Sequence, residues 1–185
     1  MSLRMIFGRR AAIAGLALGL VTLLSVGAVA QKKKPISPHE KATGSIAGKQ
    51  ITIEYGRPSL KGRQMLGNLI PYDQVWRLGA DEATKITTPV DIEINGLKVP
   101  AGTYSLFMLV SQDGGTQLIV NKVADQWGAF KYDASQDLGR TTIVGSGDHA
   151  MTEMLTITIE STGEKTGTIK FAWGDGMATA NVTVL

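Results

Sequence analysis

The stretch MLTITIESTGEKTGTIKFAW, residues 154–173, decides the fold class. In Met154–Glu160, Leu and Ile alternate with Thr and Glu, and in Thr168–Trp173, Ile, Phe and Trp alternate with Thr, Lys and Ala. Successive side chains of a β-strand point to opposite faces, so this alternation is typical of strands with one buried face. The stretch therefore predicts two half-buried strands.

The rest of the chain has the same character. Asn95-Gly96 is a strong signal for a type I′ hairpin turn, because both residues accept a positive φ. Thr103–Val110 (TYSLFMLV) is apolar at both alternating positions, which predicts a central strand covered on both sides. Turn residues recur about every ten positions, and helical periodicity is almost absent. We therefore predict an all-β fold, an antiparallel β-sandwich of about eight to ten strands with one long irregular loop segment.

The first thirty residues have the three parts of a signal peptide. Arg4, Arg9 and Arg10 precede an uncharged stretch, and Ala28-Val29-Ala30 supplies a small-residue cleavage site. We expect a signal peptide at 1–30, a flexible leader at 31–42 and a single β-sandwich domain at 43–185. The predicted location is the bacterial periplasm or the medium, with Sec and twin-arginine export both open. No stable membrane span is expected after cleavage, since the apolar stretch is short for one.

The charge balance argues against nucleic acid as a partner. The chain has 19 Lys and Arg residues against 16 Asp and Glu residues, and three of the basic residues but none of the acids precede Gln31. Without the signal peptide the formal charge is therefore zero. A protein that binds nucleic acid needs a basic face to release counterions from the phosphates. The absence of Cys from the sequence also excludes disulfides and a lipid-anchored Cys.

One segment, Glu54–Thr84, lacks strand periodicity. It reads EYGRPSLKGRQMLGNLIPYDQVWRLGADEAT and mixes basic, aromatic, Gly and Pro residues. Arg offers a planar fork to carboxylates and phosphates, and aromatic faces suit sugars and cations. We therefore predict that this segment lines a site for a small sugar-like or anionic ligand. The candidate ligand-binding residues are Tyr55, Arg57, Arg63, Tyr72, Trp76, Arg77, Asp81 and Trp127.

The same Arg residues have a structural interpretation. Their guanidinium groups would pair with nearby acids and hold a long loop against the sandwich, because such a loop must satisfy its own backbone groups. The acids within the segment are Glu54, Asp73, Asp81 and Glu82.

Enzyme signatures are sparse. No nucleophile elbow, phosphate-binding loop or zinc-binding His pair is present, so no cofactor and no metal site are expected. His149 beside Asp148 is one His in a polar loop, whereas a metal site needs three or four ligands. Asp81 or Glu82 with a second carboxylate would suit glycoside hydrolysis, although Asp is also a common turn residue. The sequence identifies no catalytic residue, and an enzyme is the less favoured reading.

A series of ordered motifs resembles a bacterial secreted family, domain of unknown function 2911. The motifs are Tyr55-Gly56-Arg57-Pro58, Lys61-Gly62-Arg63, Pro71-Tyr72, Val75-Trp76-Arg77-Leu78-Gly79-Ala80, Glu82-Ala83-Thr84, Asn95-Gly96, Pro100-Ala101-Gly102-Thr103-Tyr104, Leu106-Phe107, Asn121-Lys122, Gln126-Trp127-Gly128, Tyr132 and Asp133. The resemblance is close over 37–144 and looser beyond. It implies an exported β-rich domain and no particular reaction. Where the family usually reads Gly-Ala-Asn, this chain has Gly79-Ala80-Asp81, which exchanges an amide donor for a charge.

Three functions follow from the sequence, in descending order. The first is a binding module for a small molecule or glycan. The second is a structural or assembly protein of the cell envelope, in which the irregular segment docks to another protein or locks the sandwich. The third is a carboxylate-based hydrolase. Protein partners and oligomeric state are not indicated by any motif.

Overall fold

The computed structural model describes residues 36–147 and 149–185. The predicted signal peptide at 1–30, the first part of the leader and Asp148 lie outside the described residues. Within the described residues, no helix is long and apolar enough to cross a membrane. Regular structure there is β-strand, apart from one 3-10 turn at Ala134–Gln136.

Thirteen strands are present in the described part of the chain. They are β1 (His39–Ile46), β2 (Lys49–Gly56), β3 (Val75–Trp76), β4 (Ala80–Thr88), β5 (Ile92–Ile94), β6 (Leu97–Val99), β7 (Gly102–Val110), β8 (Thr116–Asn121), β9 (Asp137–Thr142), β10 (Val144–Ser146), β11 (Thr152–Ser161), β12 (Thr166–Gly174) and β13 (Gly176–Val184). Four of them, β3, β5, β6 and β10, have only two or three residues. The number of strands exceeds the roughly eight to ten that the sequence predicts. β1 begins inside the segment 31–42 that the sequence assigns to the leader.

The strands form two antiparallel sheets. The first has the order β1-β2-β4-β7-β8-β9, with β3 paired to β7. The second has the order β11-β12-β13-β5-β6, with β10 paired to β13. The inner faces of both sheets supply one shared hydrophobic core, from Ile53 and Leu106 on one side to Ile169 and Val182 on the other. The predicted antiparallel β-sandwich is confirmed.

The two predicted strands that decide the fold class pair with each other as β11 and β12. Asn95-Gly96 forms the tight turn between β5 and β6, with φ of 43° and 87°, as the hairpin signal predicts. The tight turn between β1 and β2 is formed by Ala47-Gly48, since Ile46 pairs with Lys49.

β7 is covered on both sides, as its sequence predicts. Leu106 and Met108 face the shared core, whereas Phe107 belongs to a second cluster on the outer side of the first sheet. The loop after β8 covers this outer side, and its Tyr132 ring meets Phe107 edge-on at 5.0 Å. The Tyr132 hydroxyl donates a 2.6 Å hydrogen bond to Asp137. Burial, with this hydrogen bond second, raises the pKa of Tyr132 to about 12.

The irregular part of the predicted segment is shorter than its sequence indicates, because its ends belong to β2 and β4. Residues 57–74 cross from the first sheet and attach to β11 where that strand is irregular, between Thr152 and Thr156. The Leu60 N–H donates to the Glu153 carbonyl, and the Leu155 N–H donates to the Pro58 carbonyl. The loop thus pairs with the bulged part of an edge strand and covers backbone groups that would otherwise be exposed.

Candidate functional site

A cavity of about 360 Å³ opens between the two sheets at one end of the sandwich. Its walls come from the irregular segment, the end of β7, the loop after it, β10 and the β12–β13 hairpin. The lining residues are Met65, Leu66, Ile70, Tyr72, Trp76, Leu78, Met108, Val110, Ser111, Gln112, Gly114, Thr116, Gly145, Ser146, Gly147, Leu155, Phe171, Trp173, Asp175, Gly176, Met177 and Ala178. A volume in this range suits a small organic ligand.

Two Trp rings form one wall of the cavity. Trp76 points inward because β3 pairs with β7, which places it opposite Met108. Its ring stacks on Trp173 of β12, with centroids 5.8 Å apart and planes 9° from parallel. Both rings are buried. At this end of the sandwich the two sheets therefore contact each other through stacked aromatic rings. Such rings bury large areas and have few rotatable bonds.

Tyr72 reaches the cavity from the irregular segment. Its ring lies against Gly67, where an added Cβ would be only 3.1 Å from it, and Gly67 has a φ of 78°. Gly67 is thus required twice, for the left-handed backbone and for the approach of the ring. The turn at 67–70 is closed by a hydrogen bond from the Gly67 N–H to the Ile70 carbonyl.

The polar groups of the cavity lie in the loops. Ser111 and Gln112 come from the turn after β7, Thr116 begins β8, and Ser146 ends β10. Asp175 is the one charged side chain among the lining residues within the described part of the chain, and it is exposed. The lining thus offers hydroxyl and amide groups for orienting a ligand and no cation for neutralising an anion.

Of the eight predicted site residues, the structure places Tyr72 and Trp76 in this cavity. Tyr55 lies deeper in the core. Its hydroxyl accepts a 3.0 Å hydrogen bond from the Ile157 N–H across the sandwich. Burial, the largest cause, raises the pKa of Tyr55.

Arg57 and Arg63 make structural contacts. Arg57 Nε donates to the Leu155 carbonyl at 2.9 Å, its Nη2 donates to Thr156 Oγ1 at 2.9 Å, and its Nη1 pairs with Glu40. Arg63 donates to the carbonyl oxygens of Leu60 and Ser59 within its own loop. Both contact sets match the interpretation in which guanidinium groups hold the loop, although the acid that pairs with Arg57 is on β1 rather than in the segment.

Arg77, Asp81 and Trp127 lie away from the cavity, around the outer side of the first sheet. Trp127 pairs through its backbone with Glu82. Asp81 is buried, has a φ of 63°, and accepts hydrogen bonds of 3.0 and 2.9 Å from the N–H groups of Ile36 and Ser37. The residue that departs from the family pattern therefore anchors the chain just before β1.

His39 was not a sequence candidate, yet it lies beside two acids. Its Nε2 is 3.4 Å from Asp81 Oδ2 and 3.5 Å from Glu82 Oε2. These three residues meet because the fold places the start of β1 beside the start of β4. Their spacing in the sequence therefore does not predict the contact. Over residues 36–147 and 149–185, no group of three or more His, Asp or Glu side chains is arranged to hold a metal ion.

Three comparisons with known proteins give one match. No curated protein matches the chain, and no solved structure matches it. The model of one protein family matches residues 37–182, which is most of the chain. The match spans both sheets, the irregular segment and the cavity they enclose. The chain therefore belongs to the family described as Protein of unknown function (DUF2911).

Proposed function

We propose that this protein is an exported binding module whose cavity between the sheets takes a small, uncharged ligand with an apolar face. The observation that carries the proposal is the space of about 360 Å³ enclosed by Trp76, Trp173 and Tyr72. Cores normally pack without voids of this size, because a void loses the contacts of the atoms around it. A space that is both large and lined by aromatic faces is typical of ligand sites.

The lining supports an uncharged ligand over an anionic one. An anion entering the cavity would lose its hydration, and the described lining has no Lys or Arg to compensate it. Asp175 at the rim would repel it further. A sugar or another ring compound has no such penalty, since its apolar face can lie on an indole while its hydroxyls meet Gln112 and Ser111. Of the two ligand classes that the sequence predicts, sugar-like and anionic, the sugar-like class is therefore better supported at this cavity.

Intrinsic Trp fluorescence and thermal unfolding together test the proposal. The panel contains uncharged monosaccharides and disaccharides, cyclic alcohols and indole, with inorganic phosphate as the anionic comparison. A ligand at one hundred times its dissociation constant adds about 2.7 kcal/mol to the free energy of unfolding, which raises Tm by several degrees. We expect at least one uncharged compound to raise Tm and change Trp emission, and phosphate to do neither.

Two variants locate the signal. Trp76→Phe keeps an aromatic ring in the wall but removes the indole face, so it should weaken binding and reduce the change in emission. Trp127→Phe removes the Trp on the outer side of the first sheet and should leave both unchanged. A response that persists in Trp76→Phe and disappears in Trp127→Phe would place the ligand elsewhere and overturn the proposal, as would no response to any uncharged compound.

The hydrolase has weaker support in the geometry. Asp81 is already engaged by two backbone N–H groups and lies near His39, so its carboxylate holds the chain before β1. A catalytic carboxylate must instead face a substrate. A structural role in the envelope has support from Arg57 and Arg63, which hold the irregular segment, but these contacts are within the domain.

A further inference from the structure

We propose a second site, separate from the cavity, in which Arg77 on the outer side of the first sheet binds the carboxylate of a ligand with an apolar tail. Trp76 ends β3 with its side chain in the shared core, whereas Arg77 directly follows the strand and its stem lies near Gly128, in the loop that covers the outer side of the first sheet. The two sites therefore lie on opposite sides of the same sheet. The exposed ring of Phe130 would contact the tail.

Arg77 is the exception among the three Arg residues of the irregular segment. Arg57 and Arg63 each donate at least two hydrogen bonds from Nε and Nη2. The Arg77 side chain makes no hydrogen bond and no ion pair with any residue in 36–147 or 149–185, and its Nε is buried without a partner. Burial, the largest cause, lowers the pKa of Arg77, and the charge of Asp81 acts in the opposite direction. Arg77 is half-buried, and a buried Nε–H without a partner is unfavourable in the free protein. An incoming anion would compensate the charge of the guanidinium.

The nearby acids do not fill this role. Asp81 interacts with Arg77 only at a distance, while its Oδ2 accepts from the Ile36 and Ser37 N–H groups. Glu82 Oε2 is closest to His39, at 3.5 Å. Asp81 places negative potential near the guanidinium. A ligand with a single charge is therefore favoured over a dianion such as phosphate, which Asp81 would repel more strongly.

The apolar tail is inferred from Gly128 and Phe130. A Cβ built on Gly128 would lie 3.7 Å from Arg77 Cδ and 3.1 Å from the Phe130 ring, so the arginine stem and the ring flank the same glycine. Gly128 has a φ of 66°, which favours glycine here in any case. The Phe130 side chain is 84% exposed, an unusual position for a Phe. The guanidinium can bind a carboxylate, and the ring beside it can contact an apolar tail. These two features match a fatty or aromatic monocarboxylate.

Titration with four anions, followed by the ¹H–¹⁵N resonance of Arg77 Nε, tests the site. The probes are hexanoate, benzoate, acetate and inorganic phosphate, at constant ionic strength. We expect hexanoate and benzoate to shift this resonance saturably, acetate to do so more weakly, and phosphate to have no effect. In Arg77→Gln, hexanoate affinity measured by isothermal titration calorimetry should fall at least about tenfold relative to wild type, the scale expected for one charged hydrogen bond.

The matched controls are Arg63→Gln, which should retain hexanoate binding, and Phe130→Ala. Phe130→Ala removes an exposed ring and should keep the fold, while weakening hexanoate but not acetate. A merely structural Arg77 predicts a lower Tm in Arg77→Gln without any anion effect in wild type, and that result would overturn the proposal. An equal response to phosphate and hexanoate, or no saturable shift with either monocarboxylate, would also overturn it. Binding of an uncharged ligand in the cavity should be the same in Arg77→Gln, so the two sites can fail independently.

Discussion

The empty space between the sheets can be filled from its wall without a ligand. Ala178 and Ala180 are both buried on β13 and face the same side of the strand, but only Ala178 lines the cavity. Substituting Leu for each therefore adds the same atoms at two places that differ only in the room available. We expect Ala178→Leu to stabilise the protein and Ala180→Leu to destabilise it.

The magnitudes follow from burial and packing. Leu adds three carbons to Ala, and at about 0.8 kcal/mol per buried methylene their burial contributes up to ~2.4 kcal/mol. Fixing the Leu side chain costs about 0.5–1 kcal/mol, which leaves a net gain of up to roughly 1.4–1.9 kcal/mol for Ala178→Leu. At Ala180, which is fully buried against packed neighbours, overpacking should cost about 1–3 kcal/mol.

Urea unfolding followed by circular dichroism gives both values on one scale. A gain of 1 kcal/mol corresponds to a Tm increase of about 2–4 °C for a domain of this size. The same Ala178→Leu protein should bind the uncharged ligands of the cavity more weakly, because the added side chain occupies their space. Equal destabilisation by the two substitutions would show that the space beside Ala178 is not available, and it would remove the basis of the proposed ligand site.

Three further predictions concern single contacts. Tyr55→Phe leaves the buried Ile157 N–H without its acceptor and should lower the free energy of unfolding by about 1–3 kcal/mol in a urea titration; an unchanged midpoint would refute this. Asp81→Ala should speed amide exchange at Ser37, whereas Asp81→Asn, which keeps an acceptor oxygen and tolerates the φ of 63°, should preserve protection; equal exchange in both variants would contradict the anchoring role. The pKa of Tyr132 is raised from 10.0 to about 12, so its contribution to stability is complete below pH 10 and is lost as the pH rises towards 12. In Tyr132→Phe the free energy of unfolding should fall less steeply between pH 10 and 12 than in wild type, as measured by urea unfolding at several pH values. The same slope in both proteins would contradict this prediction.

The fold was predictable because its signals are local. Alternation in β11 and β12, the two-sided apolar character of β7 and the Asn95-Gly96 turn each depend on a few neighbouring residues, and the structure contains all three. The hairpin signal at Asn95-Gly96 also predicts the short strands β5 and β6, whereas β3 and β10 have no such turn signal and are too short for a measurable period. β1 begins earlier than predicted because Asp81, distant in sequence, anchors the chain before it.

The candidate site was predictable only in part, since its residues are assembled by tertiary contacts. Tyr72 and Trp76 were identified from composition, and both line the cavity. Trp173 was predicted to face inward, but no local pattern shows that it meets Trp76 across the sandwich. The three Arg side chains are chemically identical but lie in different surroundings. Arg57 and Arg63 donate hydrogen bonds to backbone carbonyls, and Arg77 does not. Residue type alone cannot distinguish these cases, because the choice depends on which carbonyls the fold brings within reach.

The order of strands in the second sheet determines when the protein can fold during its synthesis. β13 lies between β12 and β5, so the second sheet lacks its central strand until residue 184 has been added. Until then the hairpin of β5 and β6 has no neighbouring strand in the second sheet. The contact between Tyr55 and Ile157 joins residues 102 positions apart, and contacts of such range slow folding. Pairings that form this slowly leave apolar faces and strand edges exposed while the chain folds, which favours aggregation.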